Sequence, residues 1–260
     1  MRDPSLEEIL RVENLSKYFG GVKALEAYSL SLSEGMLMGL IGPNGAGKTT
    51  VFNLITGVLR PTSGRILFKG RDITRWRTDK RICLGMARTF QNIRLFKSLS
   101  VLDNVKAGFH LHWGSGFWTT VLNLPKFRKG EEEIQERAYT LLKIFGLQDK
   151  SEDIADNLPY GEQRKVELAR ALATDPKLIL LDEPAAGMNP RETDEITAII
   201  SKIHKAYGLT LLLVEHDMKV VMKICEQVQV IDHGRVVALG TPFEIQTNPQ
   251  VLEAYLGYSR

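Results

Sequence analysis

Residues 42–50, GPNGAGKTT, place glycines, a lysine and two threonines at the spacing of a phosphate-binding loop. The strand pattern 36–41 precedes this loop and the helical pattern 51–59 follows it, so backbone N–H groups and the positive end of a helix would converge on phosphate. Lys48 would reach the β- and γ-phosphates of a nucleotide, and the Thr49 hydroxyl would hold Mg²⁺. The residues predicted to bind nucleotide here are Gly42, Pro43, Asn44, Gly45, Ala46, Gly47, Lys48, Thr49 and Thr50.

Two adjacent carboxylates end a second apolar run, LILLDEP at 178–184. Its four apolar residues predict a buried strand, and ligands of open α/β sheets bind at the carboxyl ends of such strands. Asp182 would orient Mg²⁺ or its waters. Glu183, which points the other way along the strand, would accept a proton from the water that attacks the γ-phosphate.

A histidine follows a third strand pattern, in LLLVEHDM at 211–218. By itself, a histidine at a strand end is more often a structural hydrogen-bonding residue. Its position on the strand that follows the carboxylate pair favours a functional interpretation, in which His216 senses the γ-phosphate. His110 and His112 have the look of a metal pair, but no carboxylate is close to them in the sequence, so no metal site is expected there.

The pattern of apolar residues indicates which elements must position these groups. Continuous apolar runs, such as 178–181 and 209–214, suit parallel strands that are covered on both faces. Residues 9–41 show the alternation and turns of a small antiparallel subdomain, whereas helical patterns dominate 92–173. These patterns predict an α/β fold with an N-terminal antiparallel β subdomain and an inserted helical subdomain.

A single domain with two lobes is expected, because neither an internal repeat nor a low-complexity linker divides the 260 residues. The α/β core and its antiparallel subdomain would span about 8–91 and 174–245. The helical subdomain would span about 92–173, and a C-terminal helix would occupy 246–260.

Composition excludes few classes of protein. Thirty-four basic and 31 acidic residues give a net charge of +3 without a long block of like charges, so no nucleic-acid partner is indicated. The two cysteines, Cys83 and Cys225, lie far apart and fit a reducing cytoplasm. The N-terminal sequence MRDPSLEEIL lacks the apolar region of an export signal, and the apolar runs are too short for a membrane anchor.

The segment 157–172, NLPYGEQRKVELARAL, predicts a loop that enters a helix. Its apolar residues recur at three- and four-residue spacing and predict a buried stripe of Val166, Ala169, Leu172 and Ala173. Its first turn, Pro159 to Glu162, does not fit ordinary helix capping. Such a turn suggests a surface that meets a group outside its own chain.

Taken in order, these stretches resemble the nucleotide-binding subunit of an ATP-binding cassette transporter. The resemblance is carried by GPNGAGKTT, the glutamine in ARTFQNIRLF, LPYGEQRKVELARAL, LILLDEP, the loop AAGMN and LVEHDM. It spans nearly the whole chain and implies a P-loop NTPase (RecA-like) core. ARTFQNIRLF, LPYGEQRK, DEPAAGMNP and the ending GTPFEIQTNPQVLEAYLG most resemble cassettes of bacterial branched-chain amino-acid importers.

The resemblance implies further roles for individual residues. Phe19 would stack on adenine, and Gln91 would sense Mg²⁺ and the attacking water while relaying motion to a permease. Residues 186–189 would cross a dimer interface. LPYGE replaces the usual LSGGQ, whose helix N-terminus meets ATP held by a second cassette, so Tyr160, Gly161 and Glu162 join the predicted nucleotide-binding residues. Pro159 and Tyr160 replace the usual serine and glycine, which removes a hydroxyl-to-phosphate contact.

Glu162 stands where the family usually has glutamine. A carboxylate about 4 Å from a phosphate charge would cost roughly 4 kcal/mol at an effective dielectric near 20. In the first turn of a helix it gains only about 0.3 to 1 kcal/mol. Glu162 is therefore predicted to point away from the nucleotide, and the backbone around Gly161 to make the contact.

The predicted function is that of an ATP-hydrolysing motor subunit that couples hydrolysis to the import of amino acids, branched-chain amino acids in particular. It would act with a second cassette and with membrane permeases at the cytoplasmic face of the inner membrane, and indirectly with a substrate-binding protein. Urea or amide import and lipopolysaccharide export are alternatives to amino-acid import. A soluble cassette ATPase that acts on nucleic acid usually carries paired cassettes, coiled-coil insertions or zinc modules, which this sequence lacks. A simple nucleotide switch or kinase would leave His216 and the 158–162 turn without a role.

An aromatic stretch, 109–127, is broken by glycines and includes Trp113 and Trp118. One hypothesis is contact with the permease or with lipid headgroups. The favoured alternative is a short amphipathic segment that packs on its own lobe.

Overall fold

The computed structural model describes residues 7–110 and 125–256. His112, Trp113 and Trp118 lie outside the described residues. The chain divides into two compact units. The first comprises Met1–Arg88, Lys177–Glu183 and Ile200–Arg260, and the second comprises Thr89–Pro176 and Pro184–Ile199.

The first unit contains an antiparallel sheet near the N-terminus, as its alternating pattern predicts. Its strands are β1 (Glu8–Phe19), β2 (Val22–Ser33), β4 (Ser63–Phe68) and β5 (Arg71–Asp72). They lie in the order β2-β1-β4-β5, and every neighbouring pair is antiparallel.

The same unit contains a six-stranded sheet that is mostly parallel. Its strands are β3 (Leu37–Ile41), β6 (Met86–Arg88), β7 (Leu178–Asp182), β8 (Thr210–Val214), β9 (Gln227–Asp232) and β10 (Arg235–Gly240). The order is β10-β9-β3-β8-β7-β6, and only the β9–β10 hairpin is antiparallel. Strands β3, β7 and β8 are buried along their whole length, as continuous apolar runs predict. Their carboxyl ends meet at one edge.

Five helices complete the first unit: α1 (Lys48–Ile55), α2 (Thr78–Cys83), α7 (Met218–Ile224), α8 (Pro242–Thr247) and α9 (Pro249–Leu256). One buried apolar cluster joins residues of both sheets to the inner side of α1. Helix α1 begins at Lys48, three residues before the expected helical pattern, since the phosphate loop leads directly into it. The region predicted as a single C-terminal helix, 246–260, begins within α8 and contains α9, and the extended residue Asn248 separates these two helices.

The second unit is helical. It contains α3 (Val101–Phe109), α4 (Pro125–Phe145) and α5 (Tyr160–Ala173), which pack against one another. The predicted apolar stripe of α5 is buried. Helix α4 ends at Phe145 because Gly146 adopts a left-handed conformation, with φ of +68°.

Helix α6 (Pro190–Tyr207) is shared between the units. Its residues up to Ile199 belong to the second unit, and the rest belong to the first. Its start has a reciprocal cap. The Asn189 side-chain oxygen accepts from the Glu192 amide at 3.0 Å, while the Glu192 carboxylate accepts from the Asn189 amide at 3.0 Å. In the described part of the chain, no helix is both long and apolar enough to cross a membrane.

Candidate active site

The phosphate loop connects β3 to α1 through a backbone path that only glycine can follow at two points. A Cβ atom on Gly42 would lie 2.0 Å from the Ile231 carbonyl oxygen. Gly47 is the residue before α1 and has φ of +107°, and a Cβ there would lie 2.9 Å from the Ala24 carbonyl oxygen. The two glycines let the loop turn tightly over the sheet edge, so that the N-terminus of α1 opens toward the space above it.

Lys48 folds back onto the loop. Its Nζ atom donates to the carbonyl oxygens of Gly42, at 2.6 Å, and Pro43, at 2.9 Å. Burial lowers the pKa of this ammonium group, while the charges of Glu183 and Asp182 act in the opposite direction. The lysine of the loop and the two carboxylates at the end of β7 are therefore close enough to interact electrostatically.

Asp182 ends β7 and is buried. Strand register places it level with Val214 of β8, which is in turn level with Leu40 of β3. Its Oδ2 atom accepts a hydrogen bond from Arg88 Nη2 at 2.7 Å. The carboxylate therefore lies at the same edge as the phosphate loop and is held by a buried cation.

Glu183 follows directly and has an unusual backbone. Its φ is +47°, in the left-handed region that costs a non-glycine residue about 1–2 kcal/mol. The Glu183 amide donates to the Val214 carbonyl at 2.9 Å, which fixes this conformation across the sheet edge. Strain of this kind is concentrated at functional sites.

His216 is brought to Glu183 by the neighbouring strand. Its Nδ1 atom lies 3.8 Å from Glu183 Oε2, and its side chain is 60% exposed. The buried Glu215 precedes it, and Glu215 Oε2 accepts from the His216 amide at 3.2 Å. The exposed imidazole is thus presented at the sheet edge by a fixed backbone.

In the second unit, the turn at the start of α5 has the open N-terminus that its sequence suggests. Pro159 precedes the helix and provides no side-chain cap. Its carbonyl oxygen accepts from the amides of Glu162 and Gln163, both at 3.0 Å. The amides of Tyr160 and Gly161 come before these donors, at the positive end of the helix.

Glu162 turns toward its own chain. Lys150 Nζ lies 2.6 Å from both carboxylate oxygens of Glu162. This ion pair supports the prediction that the carboxylate points away from nucleotide.

Gln91 also lies in the second unit, where α5 holds its backbone. Arg164 Nη2 donates to the Gln91 carbonyl at 2.7 Å, and Arg164 Nη1 donates to the Phe90 carbonyl at 2.5 Å. Glu167 Oε2 lies 2.7 Å from Arg164 Nη1, and its Oε1 accepts from the Phe90 amide at 3.3 Å. Both charged side chains are almost fully buried. Helix α5, which begins with the 158–162 turn, therefore holds the backbone of the segment that carries Gln91.

Phe19, the predicted adenine platform, is the last residue of β1 and is 46% exposed. Lys17 Nζ lies 5.0 Å from the centre of its ring. An exposed ring of this kind has a face on which a base could stack.

Comparison with known proteins identifies this arrangement. The sequence model of the family described as ABC transporter matches residues 25–186, more than half of the chain. The chain belongs to the ATP-binding cassette transporter family. Cassettes of this family bind nucleotide and hydrolyse ATP to power transport, so the protein is an ATPase. A further model, described as branched-chain amino acid ATP-binding cassette transporter, matches residues 235–259 of the cassette.

Curated relatives match the cassette over nearly its whole length. It is 42% identical over 251 residues to the high-affinity branched-chain amino acid transport ATP-binding protein LivG of Salmonella typhimurium, covering 96% of this chain and 98% of the relative. It is 43% identical over 249 residues to BraF of Pseudomonas aeruginosa, which has the same description, with the same coverage. A probable LivG of Methanocaldococcus jannaschii is 36% identical over 261 residues, covering 99% of this chain and 100% of the relative.

Solved structures agree with the fold of the cassette. The ADP conformation of MJ1267, an ATP-binding cassette of an ABC transporter, has a TM-score of 0.83 at 35% identity, covering 96% of this chain and 99% of that chain. A dimeric post-hydrolysis structure of the cassette MJ0796, bound to ADP and Pi, has a TM-score of 0.76 at 25% identity, covering 90% and 99%. The P-loop NTPase fold class predicted from the sequence is confirmed.

The donor atoms of the cassette suit Mg²⁺. The exposed Thr49 hydroxyl and the Asp182 carboxylate are the oxygen ligands that this hard cation prefers. Among the described residues, no group of three or more histidine, cysteine, aspartate or glutamate side chains could hold a metal by itself. Glu131 Oε1 lies 3.7 Å from His110 Nε2, a carboxylate that proximity in the sequence did not reveal.

Sequence reasoning passed over four charged residues that the cassette buries around these groups: Arg88, Arg164, Glu167 and Glu215. All four lie within segments that were singled out for other residues. A charged residue on the apolar side of a predicted helix was the available signal, since Arg164 and Glu167 lie close to the stripe of α5. Periodicity alone did not reveal it, because the charges stand between apolar positions rather than replacing them.

Proposed function

We propose that this cassette is the ATP-hydrolysing motor subunit of an importer for amino acids, branched-chain amino acids in particular. The observation that carries the proposal is 42% identity over 96% of the chain to a branched-chain amino acid transport ATP-binding protein, together with the C-terminal match at 235–259. Urea or amide import and lipopolysaccharide export are the alternatives.

The proposed binding step uses the phosphate loop and the end of β7. Backbone N–H groups of the loop and the start of α1 bind the phosphates, and Lys48 leaves the Gly42 and Pro43 carbonyls to reach the β- and γ-phosphates. Thr49, Asp182 and Gln91 would hold the Mg²⁺ of Mg–ATP directly or through water. When bound, the cation would supply charge neutralisation for the phosphates.

The proposed chemical step is proton transfer. Glu183 accepts a proton from the water that attacks the γ-phosphorus, and His216 donates a hydrogen bond to the γ-phosphate. Two observations support this pairing. The His216 imidazole lies 3.8 Å from the Glu183 carboxylate, and the strained backbone of Glu183 fixes the direction in which its side chain leaves the chain. Phe19 would hold the adenine by stacking.

The proposed working state is a pair of cassettes that clamp two ATP molecules. The N-terminus of α5, with Tyr160, Gly161 and Glu162, would face nucleotide held by the second cassette, which is either another copy or a different chain. Opening and closing of the pair would drive integral-membrane permeases at the cytoplasmic face of the membrane. A substrate-binding protein would select the cargo.

The mechanism is tested with the Glu183→Gln protein. We expect hydrolysis to fall about a hundredfold or more, because amide oxygen is a poor proton acceptor, and ATP to induce a dimer that size exclusion detects. Glu195→Gln, on the exposed side of α6, is the matched control and should hydrolyse ATP normally. Unchanged hydrolysis in Glu183→Gln would exclude Glu183 as the base. Lost hydrolysis without a homodimer would indicate a different chain as the second cassette.

The cargo is tested with the complete transporter in nanodiscs. With its binding protein present, hydrolysis should rise when leucine, isoleucine or valine is added and should not respond to urea. The opposite response would replace the amino-acid proposal with amide import.

A further inference from the structure

Arg88 lies at the carboxyl end of β6 and is buried, together with the carboxylate that it contacts. The Arg88 side chain is 8% exposed and the Asp182 side chain 7%, and their charged atoms are 2.7 Å apart. The other end of the guanidinium fork, Nη1, donates to Asn53 Oδ1 at 2.7 Å and to Thr56 Oγ1 at 3.2 Å. One side chain therefore connects three others.

These contacts link the two elements that carry Thr49 and Asp182, two of the three proposed metal ligands. Asn53 belongs to α1, and Thr56 is the C-cap residue that directly follows this helix. The same helix carries Thr49 in its first turn, whereas Asp182 ends β7. The guanidinium carbon of Arg88 also lies 5.6 Å from the centre of the Phe52 ring, so the group is held against the side of α1.

We propose that Arg88 is a positioning residue for the metal site, which fixes the Asp182 carboxylate relative to α1 and therefore relative to Thr49. The inference rests on the proposed function, in which these two side chains hold Mg²⁺. Arg88 itself does not touch nucleotide or metal in this proposal. It acts through Asp182.

Arginine suits this task because its fork is planar and rigid. Nη2 binds one oxygen of the carboxylate, while Nη1 binds two oxygens of α1, so the distance between strand end and helix is set by the guanidinium itself. The contact uses Oδ2 of Asp182. Lysine at this position would supply a point charge without the geometry of the fork.

The test measures Mn²⁺ binding to the protein–ADP complex by electron paramagnetic resonance, which needs no hydrolysis. Arg88→Met should weaken Mn²⁺ binding about tenfold, the effect typical of partners that orient a metal ligand, and leave ADP affinity in EDTA unchanged. Arg88→Lys should weaken it by a smaller factor and decides the question if Arg88→Met does not fold.

Arg81→Met is the matched control for general damage to α1. Arg81 is also buried, and it donates to the Leu54 and Ile55 carbonyls of this helix at 2.8 Å and 2.6 Å. Among the described residues, its hydrogen-bond acceptors do not include Asp182. This variant should be less stable and should bind Mn²⁺ as the wild type does. Equal weakening of Mn²⁺ binding by Arg81→Met and Arg88→Met would overturn the proposal.

A double-mutant cycle shows whether Arg88 acts through Asp182. Asp182→Asn alone should weaken Mn²⁺ binding, and adding Arg88→Met should then have no further effect. Additive losses would overturn the positioning role, and so would unchanged or tighter Mn²⁺ binding in Arg88→Met. Tighter binding would make the guanidinium a competitor of the metal. Normal Mn²⁺ binding in Asp182→Asn would instead reject the metal role of Asp182, and the inference with it.

Discussion

Individual side chains determine how close a negative charge comes to the proposed nucleotide site, and Glu162 shows this most clearly. Its carboxylate is paired with Lys150 within its own chain, at 2.6 Å. The ion pair neutralises a negative charge that would otherwise stand in the first turn of α5, where the phosphate of a second cassette is proposed to bind. The position of one lysine, twelve residues earlier in the chain, thereby makes an acidic residue acceptable at this site.

Removal of Lys150 should therefore weaken ATP-induced dimerisation. In Lys150→Met, Glu162 loses its partner and repels the approaching phosphate, so we expect the dimer dissociation constant of the Glu183→Gln protein to rise about tenfold. The measurement is analytical ultracentrifugation with ATP. Lys150→Met/Glu162→Gln removes both charges and should restore dimerisation. If the double variant is as weak as Lys150→Met, repulsion is not the cause.

The two cysteines should differ in reactivity. Cys83 is exposed, whereas Cys225 is buried and its pKa is raised from 9.0 to about 12, chiefly by burial. Because the thiolate is the reactive form, a raised pKa moves the reaction of Cys225 to higher pH. At pH 8, a thiol reagent should modify one cysteine in the native protein and both in denaturant. Fast modification of the folded Cys83→Ser variant would contradict this assignment.

At the scale of elements, α5 combines a helix start with a buried ion pair that holds another segment. Arg164 and Glu167 lie one turn apart, and together they bind the backbone of Phe90 and Gln91 through both amide and carbonyl groups. Movement of the helix would therefore be transmitted to the backbone of Gln91.

Breaking this pair should destabilise the second unit. Arg164→Met leaves Glu167 buried without its cation, which typically costs about 3–5 kcal/mol. The thermal midpoint and hydrogen exchange of α5 report the loss. In Arg164→Met/Glu167→Leu, which has no buried charge at these positions, most of that stability should return. Hydrolysis should stay low in the double variant, since the Gln91 backbone is still unanchored. If both the stability and the hydrolysis rate recover in the double variant, the ion pair has only a structural role.

At the scale of the whole molecule, the phosphate loop, Asp182, Glu183 and His216 belong to the first unit, whereas Gln91 and the 158–162 turn belong to the second. The residues proposed to bind phosphate from the same chain are thus gathered around one sheet edge. The residues proposed to sense Mg²⁺ and the attacking water or to meet a second cassette lie in the second unit, Gln91 in a loop and the 158–162 turn at the start of α5.

Nucleotide should accordingly stabilise the cassette through its first unit. We expect ADP at a hundred times its dissociation constant to add about 2.7 kcal/mol and to raise the thermal midpoint. Lys48→Ala should lose most of this shift, because the ammonium group contacts the phosphates. Lys205→Ala, on the exposed side of α6, is the control and should keep it. A full shift in Lys48→Ala would contradict the proposed phosphate contact.

Local sequence patterns determined the types and order of the elements and the groups at the ends of β3, β7 and β8. These features depend on neighbours within about ten residues: glycine spacing, apolar periodicity and helix caps such as Asn189–Glu192 are read along the chain. Parallel strands then require that their carboxyl ends share an edge, which is why the proximity of Lys48, Asp182 and Glu183 could be anticipated.

Only the tertiary structure decided which cations accompany the carboxylates. Arg88 and Asp182 are 94 positions apart, and Arg164 meets the Phe90 carbonyl across 74 positions. Such pairs leave no periodic signal, because a charged residue has the same local pattern whether it faces water or a buried partner. Burial makes the partner obligatory, since an unpaired charge in the interior is costly. The chemistry was therefore predictable from the chain, whereas the side chains that hold it in place depend on contacts made only after folding.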